Sequence, residues 1–216
     1  MHSFLHTTPE NWAETAAQTI ADLLFSSLNK NGFATLVVPG GRSAKAILPR
    51  LAKIDLDWEK VTVTLTDERW VPAHHSDSNE RLVYESFIKT TNAHFIGMKT
   101  KSETPEIAIS ENHPVLAIPR PFDVVFVGMG DDGHIASLFP KERIKTGDLQ
   151  TAQRPDHPRI SMTPTCLLNS RHIVLPILGQ AKQSAFKRAQ VPGPTLEFPV
   201  RHILHQDQVP VTIIIG

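Results

Sequence analysis

Cysteine occurs once among the 216 residues, at Cys166. A single thiol excludes an internal disulfide framework and a cysteine-built zinc site, and it fits a reducing compartment. Net charge is also missing: Lys+Arg and Asp+Glu both number 22. A chain-wide electrostatic attraction to nucleic acid is thereby excluded, although a local basic pocket is not. No apolar run approaches the roughly 18–20 residues of a membrane span. The opening MHSFLHTTPENWAE lacks the basic start and apolar centre of a signal peptide. The composition therefore reads as a cytoplasmic protein with no membrane and no nucleic-acid partner.

The length suits one α/β domain over 1–216, large enough to bury a core without staples. Thr8-Pro9-Glu10 reads as a helix start, with Thr8 as N-cap and Pro9 at the first helical position. Trp12, Ala16, Ile20, Leu23, Leu24 and Leu28 then recur at helical spacing, and Gly32 stops the helix. Apolar runs at 33–38, 60–66, 122–128, 171–179 and 209–216 read as strands. Between them, 44–53 reads as a helix that Pro49 kinks or interrupts. Residues 78–89 read as a helix capped by Ser78 or Asp77, and 180–190 as another. The proline-rich stretch 97–121 reads as irregular with one short helix, and the polar stretch 141–158 as a mobile excursion.

Strands alternating with helices predict a doubly wound, mostly parallel sheet with helices on both faces. Ligands of such sheets sit beyond the carboxyl ends of the strands, and the polar clusters of this chain follow its strands. In VVPGGRSAK, Gly40 and Gly41 allow close backbone approach and the next helix start offers free N–H groups, a place for an anion. The plain alternative is a tight turn; neither the P-loop nor the G-x-G-x-x-G spacing is present. LGQAK repeats the arrangement, with Gly179 and then Lys182 in the first turn of a helix. A cation there is disfavoured unless an anion lies between it and the helix end. Lys45 raises the same question, and for both lysines the alternative is a side chain reaching into water. TDERW places Asp67 and Arg69 at a strand end, either as a site rim where Arg69 forks onto an anion or as a surface ion cluster. In SDSNE, Asn79 sits in a helix-start signal and is also suited to a sugar hydroxyl.

FDVVFVGMGDDGHIASLFP, residues 122–140, leaves a strand and sets Asp131, Asp132 and His134 on glycine hinges. His134 is expected at the start of a short helix just past Gly133. The helix dipole would there lower its pKa and keep it neutral, as a general base requires. Asp132, two residues away, is placed either to orient the ring or to oppose that shift. Ser137 follows His134 by three residues and G-x-S-x-G is absent, which argues against a serine triad. Adjacent Asp131 and Asp132 point apart and no second histidine has helical spacing, so no metal is expected. What remains is a base acting on water or a substrate hydroxyl, beside an anion site.

VPGGRSAKAI, VTLTDERWVP with SDSNERL, FDVVFVGMGDDGHIASLFP and ILGQAK stand in the order and rough spacing of 6-phosphogluconolactonases, which this chain resembles over residues 37–182. The resemblance implies a fold related to glucosamine-6-phosphate isomerase/deaminase. It also implies hydrolysis of 6-phosphoglucono-1,5-lactone to 6-phosphogluconate in the pentose phosphate pathway, with no cofactor. The implied partner is the small phosphorylated lactone, and the chain would act as a monomer or weak homodimer. By position, His134 matches the family's catalytic base. Gly40, Gly41 and Ser43 match its phosphate loop, and Arg69 and Lys182 its basic substrate-binding positions. Asp67, Asn79 and Asp132 match further motif positions. Backbone N–H groups near Gly133, or Arg69, are candidates for the oxyanion. The usual S-G-G-S-T-P loop is P-G-G-R-S-A here, so a hydroxyl is lost and Arg42 is gained, either for the phosphate or facing solvent. The 97–121 segment is short for the family. In the isomerase/deaminase relatives the motif runs D-G-H-I-A-F-N-E-P. Phe139 stands at the Glu position here, which argues against that reaction. A sugar-phosphate sensor on the same fold would carry a basic DNA-binding segment, and none is seen.

Overall fold

A computed structural model describes residues 2–216. In chain order the elements begin with β1 (His2–His6), α1 (Trp12–Asn31), β2 (Ala34–Val38), α2 (Gly41–Leu51), β3 (Val61–Leu65) and β4 (Asp67–Arg69). Then come α3 (Asn79–Val83), which runs through a π-helical turn (Tyr84–Ile88) into α4 (Lys89–Thr91), and β5 (His94–Ile96). After α5 (Pro105–Ser110) follow β6 (Val124–Phe126), β7 (Leu149–Ala152), β8 (Arg159–Met162) and α6 (Pro164–Leu168). The chain closes with β9 (Ile173–Ile177), α7 (Gln180–Gln190), α8 (Arg201–Leu204) and β10 (Val211–Ile215).

Seven strands form one sheet in the order β1-β10-β9-β6-β2-β3-β5, and every pairing is parallel. β2 and β9 are buried along their whole length, so both faces of the sheet are covered. This is why ATLVV and IVLPI are near-continuously apolar rather than alternating. α1 packs beside α2 over β2, β6, β9 and β10; α7 packs on β9 and joins α8. Trp12, Phe87, Phe122 and Phe126 are the largest side chains fully inside.

The strand order reverses between β2 and β6. From β2 the chain steps outward to β3 and β5, then returns to the opposite side of β2 with β6 and continues to β9 and β10. A crevice opens at such a reversal because the loops after its two strands leave in opposite directions. The loops concerned are 39–41 and 127–134. The opposite ends of the same strands are locked together by Asp123, whose carboxylate accepts from Thr35 N and Oγ1 at 2.8 and 3.0 Å.

Several expectations need correction. α1 begins at Trp12, with Asn11 rather than Thr8 at the N-cap position; Thr8 O and Oγ1 instead accept from Asn11 N in a preceding turn. α2 is not interrupted at Pro49 and continues to Leu51. The one backbone bond lost there would have ended on the carbonyl of Lys45, which is solvent-exposed, so the loss is small. Residues 2–6, read as no element, form β1 because β10 offers them a parallel partner. The stretch 141–158 is not a free excursion: it carries β7, and β4, β8 and β7 make a separate antiparallel sheet. Among the described residues, no helix is long and apolar enough to cross a membrane.

Leu36, fully buried at the centre of β2, reports on this core. Leu36→Ala should cost about 2–5 kcal/mol in urea unfolding, whereas Phe25→Ala on the exposed side of α1 should stay within about 0.5 kcal/mol.

Candidate active site

The crevice at the reversal widens into a cavity of about 500 Å³, lined in part by residues of both flanking loops. That is the size of a small-metabolite site. One end is built by β2 and the start of α2. A Cβ on Gly40 would stand 1.8 Å from Asn79 Oδ1, so only glycine fits beside that side chain. Asn79 is held there because its Nδ2 donates to the Asp67 carbonyl at 2.9 Å. Gly41, at φ 75°, then opens α2, and Ser43 lies in its first turn.

Lys182, buried in the first turn of α7, donates from Nζ to Ser43 Oγ at 3.2 Å. Burial lowers its pKa, the charge of Arg42 adds to the effect, and Asp131 opposes it. A buried ammonium at one helix start, facing a second helix start, concentrates positive potential with no carboxylate bonded to it. An anion between them satisfies both. Arg42 sits on the exposed rim of this end and pairs with Asp131 Oδ2 at 3.1 Å, so it lines the cavity while facing solvent. Lys45 is exposed and stands outside the cavity lining.

The D-E-R sequence of β4 splits in two. Asp67 and Arg69 line the cavity, and Glu68 turns into the protein with no exposure at all. Its carboxylate accepts from Arg69 N, Asn79 N, Glu80 N and Ser78 Oγ at 2.6, 2.8, 2.7 and 3.0 Å. Burial pushes its pKa up and the four donors pull the other way. Asp67 accepts from Thr66 Oγ1 at 2.9 Å and from Ser137 Oγ at 2.6 Å. Ser137 is thus a buried brace for Asp67. Arg69 Nη1 donates to the Asp77 carbonyl. Its Nε, and that of Arg159 opposite it on the neighbouring strand β8, are buried with no hydrogen-bond partner among the described residues. Burial and the nearby Arg69 charge both lower the Arg159 pKa, which its ion pair with Asp156 opposes.

His134 does not begin a helix. Residues 131–138 form successive turns, so no helix dipole acts on it. The ring is fixed by side-chain chemistry instead. Asp132 Oδ1 lies 2.6 Å from His134 Nδ1 and also accepts the His134 N–H at 3.1 Å. The carboxylate only accepts, so Nδ1 carries the proton and Nε2 keeps its lone pair. The bond to His134 holds the Asp132 pKa down at about 2. A Cβ on Gly130 would stand 2.2 Å from the imidazole, so this glycine makes room for the ring. Phe139 lies against it, ring centroids 4.9 Å apart, and the Arg154 guanidinium covers Phe139 at 4.1 Å. Gly133 stands behind this wall. Its N–H is taken by the Gly130 carbonyl at 3.0 Å, and the His134 and Gly130 amides are likewise engaged, so none of the three serves an oxyanion.

The cavity therefore gathers Gly40, Gly41, Arg42, Ser43, Asp67, Arg69, Asn79, His134 and Lys182, and places Asp132 and Gly133 one layer behind. Sequence reasoning missed Arg154, Asp156 and Arg159, which line it from the loop between β7 and β8 and from β8 itself. The signal was two arginines in the proline-bounded run QRPDHPRI, within a segment read as an excursion.

Glu68→Ala strands four donors at once and should destabilise the fold by at least about 3 kcal/mol in urea. Ser76→Ala, exposed in the same loop, should cost less than about 0.5 kcal/mol.

A family model described as glucosamine-6-phosphate isomerases/6-phosphogluconolactonase matches residues 7–212. The chain is 37% identical over 205 residues to a 6-phosphogluconolactonase of Pseudomonas putida, covering 89% of this chain and 85% of that protein. To one of Rhizobium meliloti (strain 1021) it is 34% identical, covering 99% and 97%. The crystal structure of a 6-phosphogluconolactonase from Shewanella baltica OS155 superposes with a TM-score of 0.93 at 34% identity, covering 100% of this chain and 97% of that one. A monomeric glucosamine-6-phosphate deaminase shares the fold, with a TM-score of 0.79 at 17% identity over 98% of this chain and 97% of its own. With the family model matched over nearly all of its length, the chain belongs to the glucosamine-6-phosphate isomerase/6-phosphogluconolactonase family.

Proposed function

We propose that this protein hydrolyses 6-phosphoglucono-1,5-lactone to 6-phosphogluconate, with residues 1–216 acting as one unit and His134 as general base. The observation that carries the reading is the cavity itself, which holds an imidazole with a free Nε2 and a separate anion site at Lys182, Ser43 and the two helix starts. The names of the relatives in Pseudomonas putida and Rhizobium meliloti support the same substrate.

The 6-phosphate would bind between Lys182 and the start of α2, placing the lactone carbonyl toward His134. Water attacks that carbonyl while His134 Nε2 takes its proton; Asp132 holds the imidazolium that results. The proton then passes to the ring oxygen as the C–O bond breaks. The developing oxyanion needs a cation or free amide, and Arg69, which lines the cavity, is the group we assign to it. A lactone is a reactive ester, so base, charge and positioning suffice. The deaminase reaction fits less well, because Phe139 fills the position where those relatives carry a carboxylate and packs on His134.

A direct lactonase assay, corrected for spontaneous opening, tests this. His134→Ala should lower turnover by roughly 10²- to 10⁴-fold with the circular dichroism spectrum unchanged. Asp132, held ionised down to about pH 2, keeps its bond to the ring over the whole range of such an assay. Near-normal turnover in His134→Ala would assign the base to another group.

The anion site has its own readout. Lys182→Ala should raise KM for the phosphorylated lactone at least about tenfold, the value of one lost charge-assisted bond. It should leave unphosphorylated gluconolactone almost untouched. Equal losses on both would make Lys182 structural.

A further inference from the structure

We propose that His75, Asp77 and His157 form a binding site for one divalent transition-metal ion such as Zn²⁺, on the outer edge of the cavity and apart from His134. One ligand atom from each of the three residues lies within 4.8 Å of the other two. His157 Nε2 stands 2.9 Å from Asp77 Oδ2, and His75 Nδ1 stands 3.9 Å from the same oxygen. Around a tetrahedral Zn²⁺ with bonds of about 2.0–2.1 Å, ligand atoms stand roughly 3.3–3.5 Å apart. The observed spacings bracket that value, so rotations of partly exposed side chains bring all three into place.

The donor set selects the ion. Two imidazoles and one carboxylate suit Zn²⁺, Ni²⁺ or Cu²⁺ and are poor for Mg²⁺ or Ca²⁺, which take oxygen ligands. The Asp77–His157 hydrogen bond places a proton between the two, and ion binding displaces it. His75 Nδ1 now accepts the Asp77 N–H at 3.1 Å, so ion binding gives up that bond. Asp77 is exposed, and water takes over the freed amide.

The three residues come from two loops that the fold already fixes. Trp70 N donates to the Pro158 carbonyl at 2.7 Å, extending the β4–β8 ladder to the residue after His157. Arg69 Nη1 holds the carbonyl of Asp77. An ion here therefore ties loop 72–78 to loop 153–158 and immobilises the anchors of Arg69 and Arg159. Its effect falls on substrate binding through those arginines and not on the base.

Zn²⁺ titration by calorimetry and Co²⁺ titration followed by visible absorption test the site on the full chain. About one equivalent should bind, with the Co²⁺ absorption of a low-symmetry nitrogen–oxygen site. His75→Gln and His157→Gln should each weaken binding by more than the roughly 10- to 100-fold that a lost outer partner costs, while His134→Ala binds as wild type. No binding at millimolar metal overturns the proposal. So does binding unchanged in His157→Gln, or lost in His134→Ala, which would place the ion on the reacting imidazole. Lactonase activity is not the readout, so the result stands whatever the outcome for His134.

Discussion

Glu68 lies between the two cavity residues of β4 and never meets solvent. Burying a carboxylate costs several kcal/mol unless donors surround it. Here the donors are the amides that start α3, the hydroxyl of Ser78 and the amide of Arg69. One side chain thus caps a helix from inside the protein and joins it to β4. With α3 fixed, Asn79 is fixed, and Asn79 in turn wedges against Gly40 and holds the carbonyl of Asp67. The Gly40 end of the cavity and the D-E-R side are therefore one rigid assembly. A loosened Glu68 displaces both.

Much of the conspicuous chemistry in the motifs serves this kind of support. Ser137, beside His134 in sequence, holds Asp67. Asp132 fixes the imidazole tautomer and stands behind the cavity wall. Glycines 40 and 130 leave room for Asn79 and for the His134 ring. Few groups are left facing the cavity with unspent capacity: the Nε2 of His134 and the ammonium of Lys182, with the guanidinium groups of Arg69 and Arg159 beside them. That economy matches a reaction whose substrate is itself reactive, where pre-set charge and orientation matter more than a strong nucleophile.

The parallel core is legible because strands buried on both faces must be mostly apolar, and 34–38, 173–177 and 211–215 are. The strand-end rule alone places Gly40, Asp67, Arg69, His134 and Lys182 around one opening, and all five line the cavity. What escaped were elements defined by partners far along the chain. LQTA and RISM are too short to stand out as strands; RISM pairs with β4, and LQTA pairs with RISM. His134 was misplaced on a helix because a glycine before an apolar run resembles a helix start, whereas the Asp132 carboxylate captures its N–H in a local turn. Glu68 was read with its charged neighbours, since nothing in three successive charges says which one turns inward.

The first strand of the sheet pairs with the last. β1 lies along β10, with Ser3 Oγ and Thr212 Oγ1 3.0 Å apart across a separation of 209 residues. Loop closure over that span is the least local event in the fold, and α1, which follows β1 and packs on β10, helps to complete it. During synthesis β1 leaves the ribosome long before its partner exists, carrying the exposed apolar pair Phe4 and Leu5. Until β10 emerges it is an unpaired strand, open to the edge of another chain. The sheet around the cavity is complete from β9 to β5 without it, so the cavity can form while this outermost seam is still unsewn.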